Sequence, residues 1–169
     1  QSLLGAKALH PHLGFFYNNY LCTCPRRGHP NRLRPHCRPR SNVTPTLIES
    51  PATGRWVALG AAGSRRIVSS LLQVITAILD AGLSLRDAVH APRLHALLSG
   101  SVWVERPLAE ASADRLRERF PSLEVVRHHS YAMGCVQAIA VRPHHASEAV
   151  ADPRRDGSAA VLARMDGLA

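Results

Sequence analysis

The pattern of apolar residues predicts a strand, a turn of small residues and a helix in the middle of the chain. Residues 56–59 form a short β-prone run that stops at Gly60, and small residues follow as far as Ser64. From Arg66 onward the apolar positions recur at the spacing of one helical face, and Gly82 stands where such a helix would end. This order points the free N–H groups and the positive dipole end of the helix at the turn.

A turn of this kind, with Gly63 and Ser64 at its centre, can hold an anion or stabilise a developing oxyanion. The same small residues also suit a strand-to-helix turn that serves packing alone. Turn chemistry by itself leaves both interpretations open.

Patterns on either side predict the rest of the fold. Residues 44–48 and 55–59 are expected to pair as a hairpin, and Ser84 and Asp87 have the spacing of a helix capping box. Further strands are predicted at 14–17, 102–105, 123–127, 135–142 and 149–151, and an amphipathic helix at 108–120. The strand at 135–142 is apolar on both faces, so we expect it to be central and covered on both sides. The order of elements predicts a layered α+β sandwich.

Composition adds a basic segment to this picture. The chain has 169 residues, 46% of them hydrophobic, which is enough for the core of a single domain over 1–169. Residues 1–40 contain no acid and account for most of the net charge of +9. Residues 22–40 are rich in proline and arginine and cannot bury one face, which predicts an exposed basic loop. No apolar run approaches the ~20 residues of a membrane span. The chain starts at Gln1 and not at Met, and it shows no charged segment followed by an apolar one, so no signal peptide is visible and we expect a fragment or a processed piece.

The basic loop has two candidate binding functions. Zinc ligands could come from Cys22, Cys24, His36 and Cys37, but Cys-x-Cys is not the usual spacing and the second half lacks a partner pair. The arginines of 26–40 could contact phosphates, but no aromatic residue lies among them to stack bases. Cysteines on the solvent side of a solvated loop are therefore favoured over a metal site or a nucleic-acid-binding module.

Several motifs, in order along nearly the whole chain, resemble the small C-terminal subunit of the γ-glutamyltranspeptidases, which are N-terminal-nucleophile hydrolases. The most specific are Arg38-Pro-Arg-Ser-Asn-Val-Thr-Pro-Thr46 and Leu59-Gly-Ala-Ala-Gly-Ser-Arg-Arg-Ile67. Weaker matches lie at 14–19, 71–74, 91–95, 104–105, 133–138 and 151–154. The resemblance implies the four-layer αββα sandwich of that superfamily, incomplete in this chain.

The activity implied by the resemblance is cleavage of a γ-glutamyl amide such as glutathione. It runs through an ester on an N-terminal threonine, and the acyl group then passes to water or to an amino acid. That threonine, exposed by autocatalytic cleavage, would lie upstream of Gln1. This chain would therefore lack both its nucleophile and the large subunit of the same precursor, and we expect it to be inactive alone. The resemblance implies no metal or other cofactor, and it favours a periplasmic or secreted location.

The resemblance also assigns site residues. The N–H groups of Gly63 and Ser64 would form the oxyanion hole, where family members have two glycines, and a serine at φ > 0 would cost ~1–2 kcal/mol. Ser41 and Asn42 correspond to the pair that holds the substrate α-carboxylate. Thr23 falls where the family has an aspartate for the α-ammonium group, and the chain has no carboxylate before Glu49. Either this homologue takes a different acyl group, as an acylase does, or its region 20–38 has diverged.

Overall fold

The computed structural model describes residues 5–19, 21, 24–25, 28–30 and 32–161. Contacts divide the chain into two compact units, Gln1–Ser41 and Asn42–Ala169. The expectation of a single domain, with its basic loop at 22–40, stays a prediction.

The first unit contains a tight reversal of the chain instead of the strand predicted at 14–17. Leu9 and Phe16 form an isolated antiparallel bridge, and Ala6 N donates to Tyr17 O at 2.8 Å. No regular strand forms among the described residues of this unit, so that prediction is wrong. A hairpin with no covered apolar face has little to stabilise it as a sheet, and Phe16 is 51% exposed.

The second unit contains the regular elements. Within the described part of the chain they are β1 (Thr46–Ser50), β2 (Arg55–Ala62), α1 (Arg66–Leu79), α2 (Leu85–His90), β3 (Leu94–Ala96), β4 (Val102–Glu105), α3 (Arg106–Ala111), α4 (Ala113–Arg119), β5 (Leu123–Val126), β6 (Cys135–Val141) and β7 (Glu148–Val150). No helix in this described part has the length and apolarity needed to cross a lipid bilayer.

The strands form two sheets. The larger one is antiparallel with the order β1-β2-β6-β7, and the smaller one has the order β3-β4-β5 with β4 and β5 parallel. The predicted hairpin is confirmed, since Thr46 pairs with Leu59 and Ser50 with Arg55.

Helix α1 covers one face of the larger sheet, as its apolar spacing predicts. Its buried side chains meet those of β2 and β6 in one core cluster, which includes Ile67, Leu71, Val74, Ile78, Val57, Leu59, Val136 and Ala138. Each fully buried aliphatic side chain contributes about 1.5–3 kcal/mol. Beyond the helix, Gly82 takes a φ of 67° and Leu83 N donates to Ala77 O at 2.9 Å, so the glycine reverses the chain as predicted.

Strand β6 is central, as predicted, but only one of its faces is covered. It lies between β2 and β7, yet Gln137, Ile139 and Val141 are exposed in the described structure. The expectation of cover on both sides is therefore wrong for this chain, because an apolar face does not reveal which polypeptide covers it.

The predicted capping box at Ser84 is confirmed, while the helix predicted at 108–120 is broken. Ser84 Oγ accepts a hydrogen bond from Asp87 N at 3.1 Å and donates to Asp87 Oδ2 at 2.6 Å. Ser112 has a φ of −140°, which ends α3 and starts α4. A serine inside a helix competes for backbone groups, which makes such a break inexpensive.

Candidate active site

The candidate site is the turn that joins the end of β2 to α1. Gly63 has a φ of 137° and Ser64 a φ of 56°, so both residues have positive φ. Arg66 N donates to Gly63 O at 3.1 Å and Ile67 N to Ser64 O at 3.2 Å, so the turn leads directly into α1. The N–H groups of Gly63 and Ser64 donate to no other group in the described part of the chain. Two unpaired donors at the positive end of a 14-residue helix can bind an anion.

Ser64 has the positive φ on which its expected backbone cost depends. A serine in a left-handed conformation costs about 1–2 kcal/mol relative to a residue without a Cβ atom. The side chain is exposed and the backbone N–H remains, so the substitution costs stability without removing the donor.

The turn is held by close backbone packing against Gly134, just before β6. A Cβ atom on Gly63 would lie 2.9 Å from the Gly134 Cα. A Cβ atom on Gly134 would in turn collide with Ser70 Oγ and lie 3.0 Å from Arg66 O. The turn, the first turn of α1 and the segment before β6 therefore approach one another at Gly63 and Gly134. Only glycine allows backbones to come this close.

Gly134 is also tied to a network of four buried, charged side chains, those of Arg93, Glu105, Asp152 and Arg154. Arg93 Nη1 donates to Gly134 O and to Asp152 Oδ2, both at 2.7 Å. Asp152 Oδ2 also accepts from Val136 N at 2.8 Å, at the start of β6. The network therefore fixes the segment against which the turn packs.

The other half of the network pairs Arg154 with both carboxylates. Arg154 donates to Glu105 from Nε at 2.9 Å and also from Nη2, and its Nη1 reaches Asp152 Oδ1 at 3.1 Å. Glu105 further accepts from Ser130 N at 2.9 Å and from Arg93 N at 3.0 Å. With two arginines and two carboxylates the network is neutral, and of its side-chain nitrogen and oxygen atoms only Arg93 Nε is buried without a hydrogen-bond partner. Pairing and hydrogen bonding of this kind are the condition under which buried ions are tolerated.

The electrostatics of Asp152 follow from this arrangement. Burial by itself would raise the pKa of its carboxyl group, but Arg93, the N–H of Val136 and Arg154 together lower the pKa below its ordinary value. The pKa of Arg93 is also lowered, by burial first and by Arg154 second, while Asp152 opposes the change.

These four residues have no role predicted from the sequence, although each lies in a motif that carries the resemblance. The available signal was a set of charged residues in the short segments 91–95, 104–105 and 151–154. Their mutual contact cannot be predicted from sequence spacing, because Arg93 and Asp152 are 59 positions apart.

The residues expected to bind substrate are only partly described. Asn42 precedes β1, and the first residue of β1, Thr46, pairs with Leu59, three residues before the end of β2 that leads into the turn. Asn42 O accepts from Thr44 Oγ1 at 3.0 Å. Ser41 is the exposed last residue of the first unit, and its grouping with the turn stays a prediction.

Thr23 and Cys22 lie outside the described residues. Among the residues that are described, no group of three or more His, Cys, Asp or Glu side chains is arranged to hold a metal ion.

A family model and several curated proteins match most of the length of this chain. The model of the family described as gamma-glutamyltranspeptidase matches residues 1–162. A glutathione hydrolase proenzyme of Escherichia coli (strain K12) is 29% identical over 75% of this chain, which spans 21% of that protein. An acylase proenzyme of Pseudomonas sp. (strain SE83) is 32% identical over 92% of this chain, which spans 27% of it.

Solved structures show the same fold. The γ-glutamyltranspeptidase of Pseudomonas nitroreducens complexed with L-DON superposes with a TM-score of 0.71 at 25% identity, covering 95% of this chain and 88% of that one. The structure of acivicin-inhibited γ-glutamyltranspeptidase gives a TM-score of 0.72 at 25% identity, covering 93% and 89%. The expected N-terminal-nucleophile hydrolase fold is thereby confirmed as a partial α+β domain. Measured against the curated relatives, the chain spans only about a fifth to a quarter of their length.

Proposed function

The chain belongs to the γ-glutamyltranspeptidase family, and we propose that it is part of the small subunit of an enzyme that cleaves γ-glutamyl amides such as glutathione. The observation that carries the proposal is the turn at Gly63 and Ser64, whose two unpaired N–H groups stand at the positive end of α1. These donors would stabilise the oxyanion that forms on the γ-carbonyl during acyl transfer. Removing one such donor typically costs a factor of about 10²–10³ in kcat.

The proposed reaction has two acyl-transfer steps. A threonine hydroxyl from the precursor attacks the γ-carbonyl, its proton passes to the departing amine through the threonine α-amine, and an ester forms. Water or an amino acid then attacks the ester carbonyl and regenerates the hydroxyl. Ser41 and Asn42 are proposed to bind the α-carboxylate of the substrate.

The proposed partner is the large subunit of the same precursor. The uncovered face of the larger sheet supports this, since Leu47 is 70%, Trp56 44% and Ile139 42% exposed. A groove of about 630 Å³ runs along this face. In a four-layer sandwich a second sheet packs on such a face at about 10 Å, and we propose that the remainder of the precursor supplies part of it.

The test uses the full precursor encoded by the gene. Expression should give two bands on a denaturing gel, the smaller one beginning at a threonine before Gln1, and the product should hydrolyse a γ-glutamyl anilide. The matched control replaces that threonine by alanine and should give one uncleaved, inactive band. A processed enzyme without γ-glutamyl hydrolysis, or a precursor that never cleaves, contradicts the proposal.

A second candidate function is that of an acylase with altered acyl specificity. It is favoured by the similarity to the Pseudomonas acylase proenzyme and by Thr23, which offers no carboxylate for an α-ammonium group. Losing a desolvated partner of that ammonium weakens binding by several kcal/mol at most. Comparing kcat/KM for a γ-glutamyl anilide and for the same anilide without the α-amino group separates the two functions, since an acylase would prefer the second.

A further inference from the structure

A cavity of about 400 Å³ lies at the end of the larger sheet where β2 and β7 begin and β6 ends. It is lined by four ionisable side chains and two small ones, Arg55, Arg142, His145, Glu148, Ala140 and Ala146. The turn at Gly63 and Ser64 follows the other end of β2, and the eight residues of that strand span about 23 Å. The cavity is therefore separate from the candidate active site.

The register of the sheet places the two arginines of this cavity beside each other. Trp56 pairs with Val141 where β2 and β6 run antiparallel, so the next position outward sets Arg55 against Arg142. Side chains at such opposite positions lie on the same face of a sheet, about 5 Å apart at their Cβ atoms. Like charges placed there repel each other, and a bound anion would relieve that repulsion.

Neither guanidinium group forms a hydrogen bond or an ion pair with another residue in the part of the chain that the structure describes. Arg55 is half-buried, and its Nε atom is fully buried without a hydrogen-bond partner. Glu148 supplies the one carboxylate of the lining, yet it is not paired with either arginine. A buried donor without an acceptor is unfavourable, and an acceptor atom in the cavity would remove that cost.

The chemistry of the lining identifies the ligand class. A guanidinium group presents a planar fork of donors that matches two oxygens of a carboxylate or a phosphate. His145 is exposed beside the arginines and can add a further donor. Two arginines and one glutamate leave a formal charge of +1 with His145 neutral, which suits one small oxyanion and not a polyanion. A cavity of about 400 Å³ has room for an organic group beyond the oxyanion itself.

We propose that this cavity binds the oxyanion end of a small organic molecule, a carboxylate or a phosphomonoester, between Arg55 and Arg142. The oxygens accept hydrogen bonds from both guanidinium groups, and the organic part lies over the small side chains of Ala140 and Ala146. This site goes beyond the proposed function and does not depend on it, because none of its residues belongs to the turn at Gly63 and Ser64.

The first experiment titrates the full protein encoded by the gene with two probes that share their hydroxyl groups, glycerate and glycerol phosphate. Glycerol is the uncharged control. Calorimetry at constant ionic strength should show saturable binding of at least one anion and no binding of glycerol. The tighter of the two probes identifies the oxyanion as carboxylate or phosphate. Failure of both anions to bind overturns the proposal.

A matched pair of variants separates this cavity from the general basicity of the chain. Arg142→Gln should weaken binding of the anion by about 10-fold or more, because it removes a charged donor. Arg115→Gln removes the same charge from an exposed position of α4 and should change binding by less than about 2-fold. Equal losses in the two variants overturn the proposal.

Chemical modification of the unaltered protein gives an answer that does not depend on the folding of a variant. Phenylglyoxal modifies accessible guanidinium groups, and peptide mass spectrometry reads each position separately. A saturating concentration of the anion should slow modification of Arg142 by about 10-fold and leave the rate at Arg115 unchanged. Equal rates at Arg142 with and without the anion overturn the proposal. Complete protection of Arg142 in the absence of the anion also overturns it, since another part of the protein would then fill the cavity.

Discussion

Gly63 and Gly134 are in direct backbone contact: a Cβ atom on Gly63 would lie 2.9 Å from the Gly134 Cα. The contact joins the turn that carries the candidate donors to the segment held by Arg93. Because backbone atoms cannot move aside as a side chain can, the position of the Gly63 N–H depends on this contact.

Gly63→Ala is expected to destabilise the protein and to displace the turn. The added methyl group meets backbone, and a φ of 137° is unfavourable for alanine, so we expect a loss of about 1–3 kcal/mol in the free energy of unfolding. In the assembled enzyme kcat should fall by about 10²-fold or more. Urea unfolding and an anilide assay measure the two effects.

The matched control for this variant is Gly100→Ala. Gly100 also has a positive φ, of 90°, but an added Cβ atom would meet nothing within 4 Å. Gly100→Ala should lose only the stability that alanine costs at a positive φ, and the enzyme should keep its activity. If the two variants lose stability and activity equally, the contact with Gly134 has no special importance.

Ser64→Gly is expected to raise the free energy of unfolding, the opposite of the effect expected for Gly63→Ala. Removing the Cβ atom relieves about 1–2 kcal/mol of backbone strain, and the more flexible unfolded chain offsets about 0.4–1 kcal/mol of it. The variant should be up to about 1.6 kcal/mol more stable, with kcat unchanged, because the backbone donor is kept. A drop in kcat of more than 10-fold would instead give the Ser64 hydroxyl a role in the reaction.

Asp152→Asn is expected to be strongly destabilising. It leaves Arg93 and Arg154 buried with one carboxylate between them, and breaking a buried ion pair in this way costs about 3–5 kcal/mol. The exposed pair of Asp114 and Arg117, at 3.7 Å, supplies the control, because Asp114→Asn should not change the unfolding midpoint measurably. A wild-type midpoint for Asp152→Asn would show that the network contributes little.

Acidification is expected to weaken the fold through His95. Burial first, and Arg66 second, lower the pKa of His95 below its ordinary value of 6.5. The unfolded chain therefore takes up this proton at a higher pH than the folded chain does. The stability is fully present above about pH 6.5 and falls as the pH drops from there to the folded pKa.

Unfolding midpoints measured between pH 7.5 and 5.5 test this prediction. The pKa of His128 is lowered as well, by burial and by His129, and its protonation acts in the same direction. His95→Asn, which keeps a polar group near Nδ1, should flatten the profile, and adding His128→Asn should flatten it further. A profile that stays equally steep in the double variant excludes both histidines as its source.

Features that depend on neighbouring residues could be predicted from the sequence. The apolar spacing of α1, the capping box of Ser84 and Asp87 and the β1–β2 hairpin all arise from interactions within a few residues of one another. The turn at Gly63 and Ser64 belongs to the same class, because strand, small residues and helix follow one another directly. The family resemblance, which assigned the turn its chemistry, depended on the same local motifs.

Features that only the tertiary structure decided depend on contacts between residues that are far apart in the sequence. Arg93 and Asp152 form an ion pair although they are 59 positions apart in the sequence. The contact of Gly63 with Gly134 likewise cannot be predicted from the spacing of neighbouring residues. The break at Ser112 and the loss of the strand at 14–17 depend on packing partners that propensity does not include. Conversely, the apolar residues on both faces of β6 predict cover on both sides, whereas the described structure covers only one of them. Local periodicity encodes which residues are apolar, and long-range packing determines what each of them meets.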